Sequence, residues 1–343
     1  MTSLPDNIDA IERISGLIEI HRKNAYRKVN EELISMYWEV GAYLSAKVKE
    51  DGWGSKVIDK IANEVSSKYP GLKGFNRRGL YRMMQFYDTY RGTEIVSTLL
   101  TQIGWSSHLL IMSGTKSIEE KIFYMKMCIK NNYSVRELNR QMDSGYYQRY
   151  LLSEARAAQN LLPSVDEEDI PATRLLDTYV LEFLDLPNEY SEKDLRKAIV
   201  HNLKDFILEI GKDFTFVGEE YRVQVGNHDY YIDLLFYNRT YSCLVAFELK
   251  IGEFKPEYIS KMNLYLEALD RHERKNNESP SVGLILCTSK DDAVVEYASS
   301  RSVSPTAVAE YSLNIIDKKL LEGKLKQLSE MLIDRDENFS EKY

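Results

Sequence analysis

Tyr230-Tyr231-Ile232-Asp233-Leu234-Leu235-Phe236-Tyr237 is followed after a short turn by Leu244-Val245-Ala246-Phe247-Glu248-Leu249-Lys250. The two segments read as apolar strands carrying charge where a buried strand should carry none. A carboxylate or an ammonium in apolar surroundings is costly unless it is paired or holds a metal. Strand side chains alternate, so Glu248 and Lys250 share a face about 7 Å apart. Asp233, on the neighbouring strand, converges with them if the register allows. Two carboxylates with the backbone carbonyl of Leu249 and water form a hard, oxygen-rich group suited to Mg²⁺ or Mn²⁺. Such a cation polarises a phosphodiester and acidifies a bound water, and Lys250 is placed to orient that water or to stabilise the developing negative charge. Glu209, at the end of the preceding helical stretch, is a candidate third carboxylate.

Glu-x-Lys alone carries no signal, because Glu119/Lys121, Glu253/Lys255, Glu273/Lys275 and Glu322/Lys324 repeat it. Only Glu248/Lys250 closes an apolar strand that follows a second apolar strand with its own isolated Asp. The competing reading is a structural ion pair between Asp233 and Lys250. Buried pairs of that kind add little net stability, which favours the catalytic reading.

Working outward, the 343 residues suffice for two domains with separate cores, and the composition, 43% hydrophobic and 29% charged, is that of a soluble globular chain. The net charge of −8 is divided unevenly. Residues 1–150 hold 22 Lys and Arg against 17 Asp and Glu, a balance of +5, and the remainder carries −13. A phosphate-binding module joined to a metal-binding module would show such asymmetry. Cys128, Cys243 and Cys287 are too few and too far apart for a disulfide or zinc framework and read as small core residues. No apolar run approaches the roughly 20 residues needed to span a bilayer. Met1 to Asp6 lacks the basic start and apolar core of a signal peptide. The expectation is a cytoplasmic protein with no membrane partner.

Residues 8 to 150 read as helices, with apolar residues at three- and four-residue steps (Ile8, Ile11, Ile14, Ile18; then Val29, Leu33, Tyr37, Val40, Leu44). Asn76 is a candidate N-cap for a helix over 77–90, and Ser134 with Glu137 forms a capping box. A Pro-bounded acidic stretch, Leu161 to Pro171, reads as a linker. A helix over 192–210 then leads into a three-stranded meander near 214–225, 229–238 and 242–250, followed by a helix over 256–270. Val282 to Cys287 is a buried strand, 291–299 a short helix, and 313–316 a last strand. Expected domains are 8–160, helical; 172–316, α/β; and 317–343, a helix and tail.

The charged strands, the run Glu248-Leu249-Lys250-Ile251-Gly252-Glu253-Phe254-Lys255-Pro256-Glu257-Tyr258 and the segment Met262-Asn263-Leu264-Tyr265-Leu266 resemble the PD-(D/E)XK nuclease superfamily, in particular its YhcG-like bacterial group. Gly283 to Cys287 is similar to that group's C-terminal landmark. Tyr37 to Gly41, Gly52-Trp53-Gly54, Trp105 to His108 and Asn132 to Leu138 are similar to its helical N-terminal domain. The resemblance covers most of residues 20–315. It implies a restriction-endonuclease-like mixed sheet flanked by helices in the C-terminal part, with an all-α N-terminal domain. It also implies a metal-dependent nuclease with Asp233, Glu248 and Lys250 as the catalytic core and Glu209 as the helix carboxylate. Lys261 and Tyr265, four apart on one helical face, match a position where the superfamily often places a polar residue near the active site. Gly218-Glu219-Glu220-Tyr221 departs from the pattern, since a basic residue is expected after the glycine.

In the N-terminal half, Arg77, Arg78, Arg82 and Gln85 lie on a helix with a capped start and an apolar opposite face. With the preceding helix and the turn at Tyr69 to Lys73, it makes a helix-turn-helix-like unit whose arginines could contact phosphate or guanine edges. The competing reading is an exposed, solvated helix face. The expected activity is hydrolysis of double-stranded DNA by a Mg²⁺- or Mn²⁺-dependent endonuclease, with a homodimer compatible with duplex cleavage. A branched-DNA resolving nuclease and a non-catalytic DNA-binding or assembly protein on a nuclease scaffold are the alternatives.

Overall fold

A computed structural model describes residues 4–93, 99–160, 175–300, 302 and 304–327. The expected linker at Leu161 to Pro171 lies outside the described residues, as does the tail beyond 327. Contacts divide the chain into two compact units, Met1–Arg140 and Gln141–Tyr343.

The first unit is helical. Helix α1 (Leu4–Glu50) is followed by α2 (Ser55–Lys68), α3 (Arg77–Tyr90), α4 (Trp105–Gly114) and α5 (Ile118–Asn131). The C-terminal half of α1 packs on α3 with Ile34, Tyr37 and Leu44 buried against Leu80, Met83 and Phe86. The approach is close at Gly41, where an added Cβ would lie 2.1 Å from the Met83 carbonyl oxygen, so only glycine fits there. Trp38, Phe86, Trp105 and His108 interlock edge to face beside this contact. Asn76 caps α3 by accepting from the Gly79 N–H at 2.9 Å, as its sequence position predicts. Helix α6 (Val135–Asp143) opens with the expected capping box between Ser134 and Glu137.

The second unit contains α7 (Tyr146–Asn160) and a six-stranded mixed sheet. Its remaining elements are β1 (Thr178–Val180), α8 (Glu192–His201), α9 (Leu203–Ile210), β2 (Phe214–Val225), β3 (His228–Asn238), β4 (Cys243–Leu249), α10 (Glu257–His272), β5 (Val282–Cys287), α11 (Asp292–Ser299) and β6 (Thr306–Ser312). Strand order is β1-β6-β5-β4-β3-β2. The meander β2-β3-β4 is antiparallel, and β4, β5, β6 and β1 run parallel. Helices cover both faces, as a parallel sheet with apolar strands requires. On one face α8 and α9 pack Leu195, Ile199, Phe206 and Ile210 against Leu234, Phe236, Val245, Phe247 and Leu249. On the other, α10 packs Ile259, Met262, Tyr265, Leu266 and Leu269 against Leu235, Ala246 and Ile285.

Three details differ from the sequence reading. The single helix expected over 192–210 is broken at Asn202 into α8 and α9. The last strand is Thr306–Ser312 rather than 313–316. Its sequence, Thr-Ala-Val-Ala-Glu-Tyr-Ser, mixes strand formers with Ala and Glu, and it is held by parallel pairing to β5 and β1. The three-residue β1 is too short to leave a periodic signal. Residues 318–327 are helical, in keeping with the expected C-terminal helix. All three cysteines are buried and free.

Candidate active site

Strand β4 alternates Val245, Phe247 and Leu249 toward the α8/α9 face with Ala246 toward α10. Glu248 therefore belongs to the α10 side. The antiparallel register ends at Leu234 opposite Phe247, and one step further brings Asp233 opposite Glu248. Two carboxylates at facing positions repel, so cations must gather around them.

They do. Glu248 is 1% exposed, and its Oε1 accepts from Lys261 Nζ of α10 at 2.5 Å and pairs with Lys250 Nζ at 2.9 Å. Lys250 also donates to Glu192 Oε2 at the start of α8, at 3.0 Å, and lies over the Tyr258 ring. Asp233 Oδ2 accepts the Leu249 N–H at 2.8 Å, and Oδ1 faces Arg196 Nη1 of α8 at 3.4 Å. Arg196 is held from its other side by Glu220 at 2.7 Å and Glu219 at 3.8 Å. The acidic pair that departs from the superfamily pattern thus anchors this arginine. Glu220 has a φ of 45° beside the irregular pairing of β2, a left-handed conformation uncommon for a non-glycine residue. The Asp233–Lys250 ion pair considered from sequence is not formed; Lys250 pairs with the two glutamates instead.

The electrostatics follow from crowding. Burial, and then the neighbouring Glu248 charge, raise the Asp233 carboxyl above the ordinary carboxylate range, although the Leu249 N–H and the lysines oppose this. For Lys250, burial disfavours the ammonium, but hydrogen bonds to Glu248 and Glu192 outweigh it and hold the group charged. Lys261 is raised by Glu248 against the same burial cost.

Glu248 Oε2 is buried and has no hydrogen-bond partner. A charged oxygen left bare in the interior is destabilising, and a divalent cation bound there would satisfy it. The donors to hand (Asp233, Glu248 and backbone oxygen at Leu249) are hard, as Mg²⁺ or Mn²⁺ requires. Among the described residues no three His, Cys, Asp or Glu side chains gather into a metal-binding group, so the fit rests on two carboxylates.

Glu209 is not brought to this group. It is fully buried on α9, where Arg149 Nη1 of α7 lies 2.5 Å from Oε1 and the Val180 N–H of β1 donates to the same oxygen at 2.9 Å. Tyr265 is 1% exposed, and its hydroxyl donates to the Tyr231 carbonyl at 2.6 Å. It is a wall of the site, with Lys261 over its ring. Lys261 contacts the Glu248 carboxylate, with its side chain still 42% exposed. On α3, Arg77, Arg78 and Gln85 are exposed and Arg82 is half-buried, opposite the buried Leu80, Met83, Phe86 and Tyr90. Arg77 pairs with Asp59 of α2 at 3.4 Å. Sequence reasoning missed Arg196 and Glu192. Their four-residue spacing on α8, beside the apolar Leu195 and Ile199, was the available signal.

Facing carboxylates on two adjacent strands, with a lysine just past the end of β4, are the arrangement expected of a nuclease of the PDDEXK class. Residues 172–326 match the YhcG PDDEXK nuclease domain, and residues 13–149 match the DUF1016 N-terminal domain. The Escherichia coli (strain K12) protein named "Putative nuclease YhcG" is 30% identical over 348 residues, which span 91% of this chain and 92% of that protein. The chain belongs to the YhcG family. Two solved structures align over part of it at 16% identity. They are a repair endonuclease from Pyrococcus abyssi (TM-score 0.27; 38% of this chain, 50% of that one) and EndoMS in apo form (TM-score 0.25; 36% and 48%). Both alignments are too weak to bear on the fold. Among the described residues no helix is long and apolar enough to cross a membrane.

Proposed function

We propose that this chain is a Mg²⁺- or Mn²⁺-dependent endonuclease that hydrolyses phosphodiester bonds of double-stranded DNA. In this reading residues 172–316 cut and the helical residues 8–160 position the substrate. The observation that carries it is the bare, buried Glu248 Oε2 beside Asp233, ringed by Lys250 and Lys261. Asp233 and Glu248 would hold the cation with the Leu249 carbonyl. When bound, it supplies charge neutralisation at the phosphodiester and an acidified water. Lys250, kept charged by its two glutamates, stabilises the negative charge that develops on the phosphoryl oxygens. Lys261 keeps Glu248 compensated until the cation arrives, and its exposed stem lets it withdraw. Arg77, Arg78, Arg82 and Gln85 form a basic-polar stripe on α3 suited to a DNA groove.

Purified protein incubated with supercoiled, linear and branched DNA, and with RNA, with and without Mg²⁺ or Mn²⁺, tests this reading. Metal-dependent cutting of duplex DNA that disappears in Asp233→Ala and Lys250→Ala is the expected result. Cutting confined to branched DNA would shift the substrate, and binding without cutting under every condition would make the fold a scaffold. Cutting that survives both substitutions sinks the mechanism.

A further inference from the structure

Helix α1 changes character along its length. From Ile34 onward it contributes buried residues to the helical core, and Asn30 ties it to the body by donating to the carbonyls of Thr101 and Ile103 at 2.9 and 3.1 Å. Before that point every residue from Ala10 to Val29 is exposed. The stretch is about 30 Å of helix at 1.5 Å per residue. Most helical stability in proteins comes from packing an apolar face, which this stretch lacks, and Gly16 in its interior weakens it further.

The exposed stretch is not a polar helix. Ile11, Ile14, Ile18, Ala25 and Val29 recur at helical spacing along one stripe, flanked by Leu17. Ile11, Ile14, Leu17 and Ile18 are 51–62% exposed. Four large aliphatic side chains in two turns, left in solvent, mark an interaction surface.

We propose that the N-terminal half of α1 is a self-association arm that packs antiparallel against the same segment of a second copy of this chain. Charge selects both partner and direction. The start of the helix carries Asp6, Asp9 and Glu12 against Arg13, and residues 20–30 carry Arg22, Lys23, Arg27 and Lys28 with no acid. Parallel pairing would set the four basic residues beside their own copies. An antiparallel pair centred near Ser15 sets Ile11 of one copy beside the second copy's Ile18. It also lays the acidic start along the second copy's Arg22 and Lys23. The opposed helix dipoles favour the same direction. With four acids between Asp6 and Glu19 and five bases between Arg13 and Lys28, the arm is nearly neutral overall, which suits a copy of itself better than a polyanion or an anionic lipid surface.

Sedimentation velocity of the full chain across a concentration series, without DNA or metal, measures the association apart from the nuclease reading. The expected result is a dimer whose dissociation constant rises about a hundredfold or more in the Ile14→Asp/Ile18→Asp variant, with the helical content and melt of the body unchanged. Direction is read by crosslinking. Ser15→Cys, near the two-fold axis, should form a disulfide between copies under mild oxidation, and Lys28→Cys should not. The wild-type cysteines are buried and serve as the silent background. A wild-type monomer at every concentration overturns the proposal. So does a dimer that survives Ile14→Asp/Ile18→Asp, or equal crosslinking at both cysteine positions, which would mean a parallel pair. A monomeric wild type that loses DNA or vesicle binding in the same variant would assign the stripe to that partner instead.

Discussion

Glu209 and Glu248 are both carboxylates in the interior of the same unit, 0% and 1% exposed, on opposite faces of one sheet. Their surroundings differ in one respect. The cation beside Glu209 is Arg149, itself wholly buried and further tied to Ser144 and to the carbonyl of Thr178. The cations beside Glu248 are lysines that reach toward solvent, 13% exposed for Lys250 and 42% for Lys261, and one of its oxygens has no donor at all. A permanently compensated charge joins α7, α9 and β1. A charge with replaceable compensation can exchange an ammonium for a metal ion. Burial of a carboxylate therefore does not by itself mark a metal ligand; in the proposed reading, the solvent access of its counter-charge separates Glu248 from Glu209.

The most direct way to break this comparison is to exchange the consequences. Glu209→Ala leaves Arg149 charged and unpaired in the core and should cost about 3–5 kcal/mol of stability, measured by urea denaturation. Glu248→Gln should leave the fold standing and lower cleavage by about 10²–10³-fold. If Glu209→Ala instead retains its stability and loses cleavage, the roles assigned to the two glutamates are reversed. Replacing the pair together, Arg149→Met with Glu209→Leu, should cost less than Glu209→Ala alone, because the desolvation of two charges is removed along with their attraction, even though the Val180 N–H still loses its acceptor.

His108 sharpens the contrast by resolving burial in a third way, through loss of its charge. It is fully buried, its Nε2 donates to the Leu100 carbonyl at 2.8 Å, and burial depresses its pKa to about 4. A depressed histidine contributes stability above its unfolded value of about 6.5 and loses it as the pH falls toward 4, at most about 3 kcal/mol. Melts between pH 7 and 4 should show that loss, and His108→Gln should flatten it. The smallest expected effect is at Asp233. Its raised carboxyl favours the folded state only while protonated, so that contribution is present at low pH and is lost as the pH rises through the raised value. Asp233→Asn should therefore stabilise the metal-free protein at pH 7 by on the order of 1 kcal/mol, with the gap to wild type closing on acidification. A constant gap across pH would show that desolvation of Asp233 is not what the substitution relieves.

Much of this was legible in the chain. Strand alternation isolates Asp233, Glu248 and Lys250 as charges in apolar runs, capping residues start α3 and α6, and the continuous apolar run of β5 marks a strand covered on both faces. These signals are local, spanning a few residues, and the physics behind them needs no distant partner. The neighbours of the site are another matter. Arg196, Glu192 and Lys261 reach the carboxylates only because α8 and α10 pack beside β3 and β4; the spacing on α8 and the resemblance at Lys261 mark a helix face but not what that face meets. Glu209 shows the converse. Its place on an amphipathic helix just ahead of the strands fits a metal ligand equally well, and the packing of α7 and β1 gives it Arg149 and the Val180 N–H instead. The sequence by itself determined which residues carry unbalanced charge into the interior and which strands hold them, because side-chain periodicity and hydrophobicity are properties of the chain. Only the tertiary structure decided which cation meets which carboxylate and whether it can leave, because pairing and solvent access depend on elements remote in sequence.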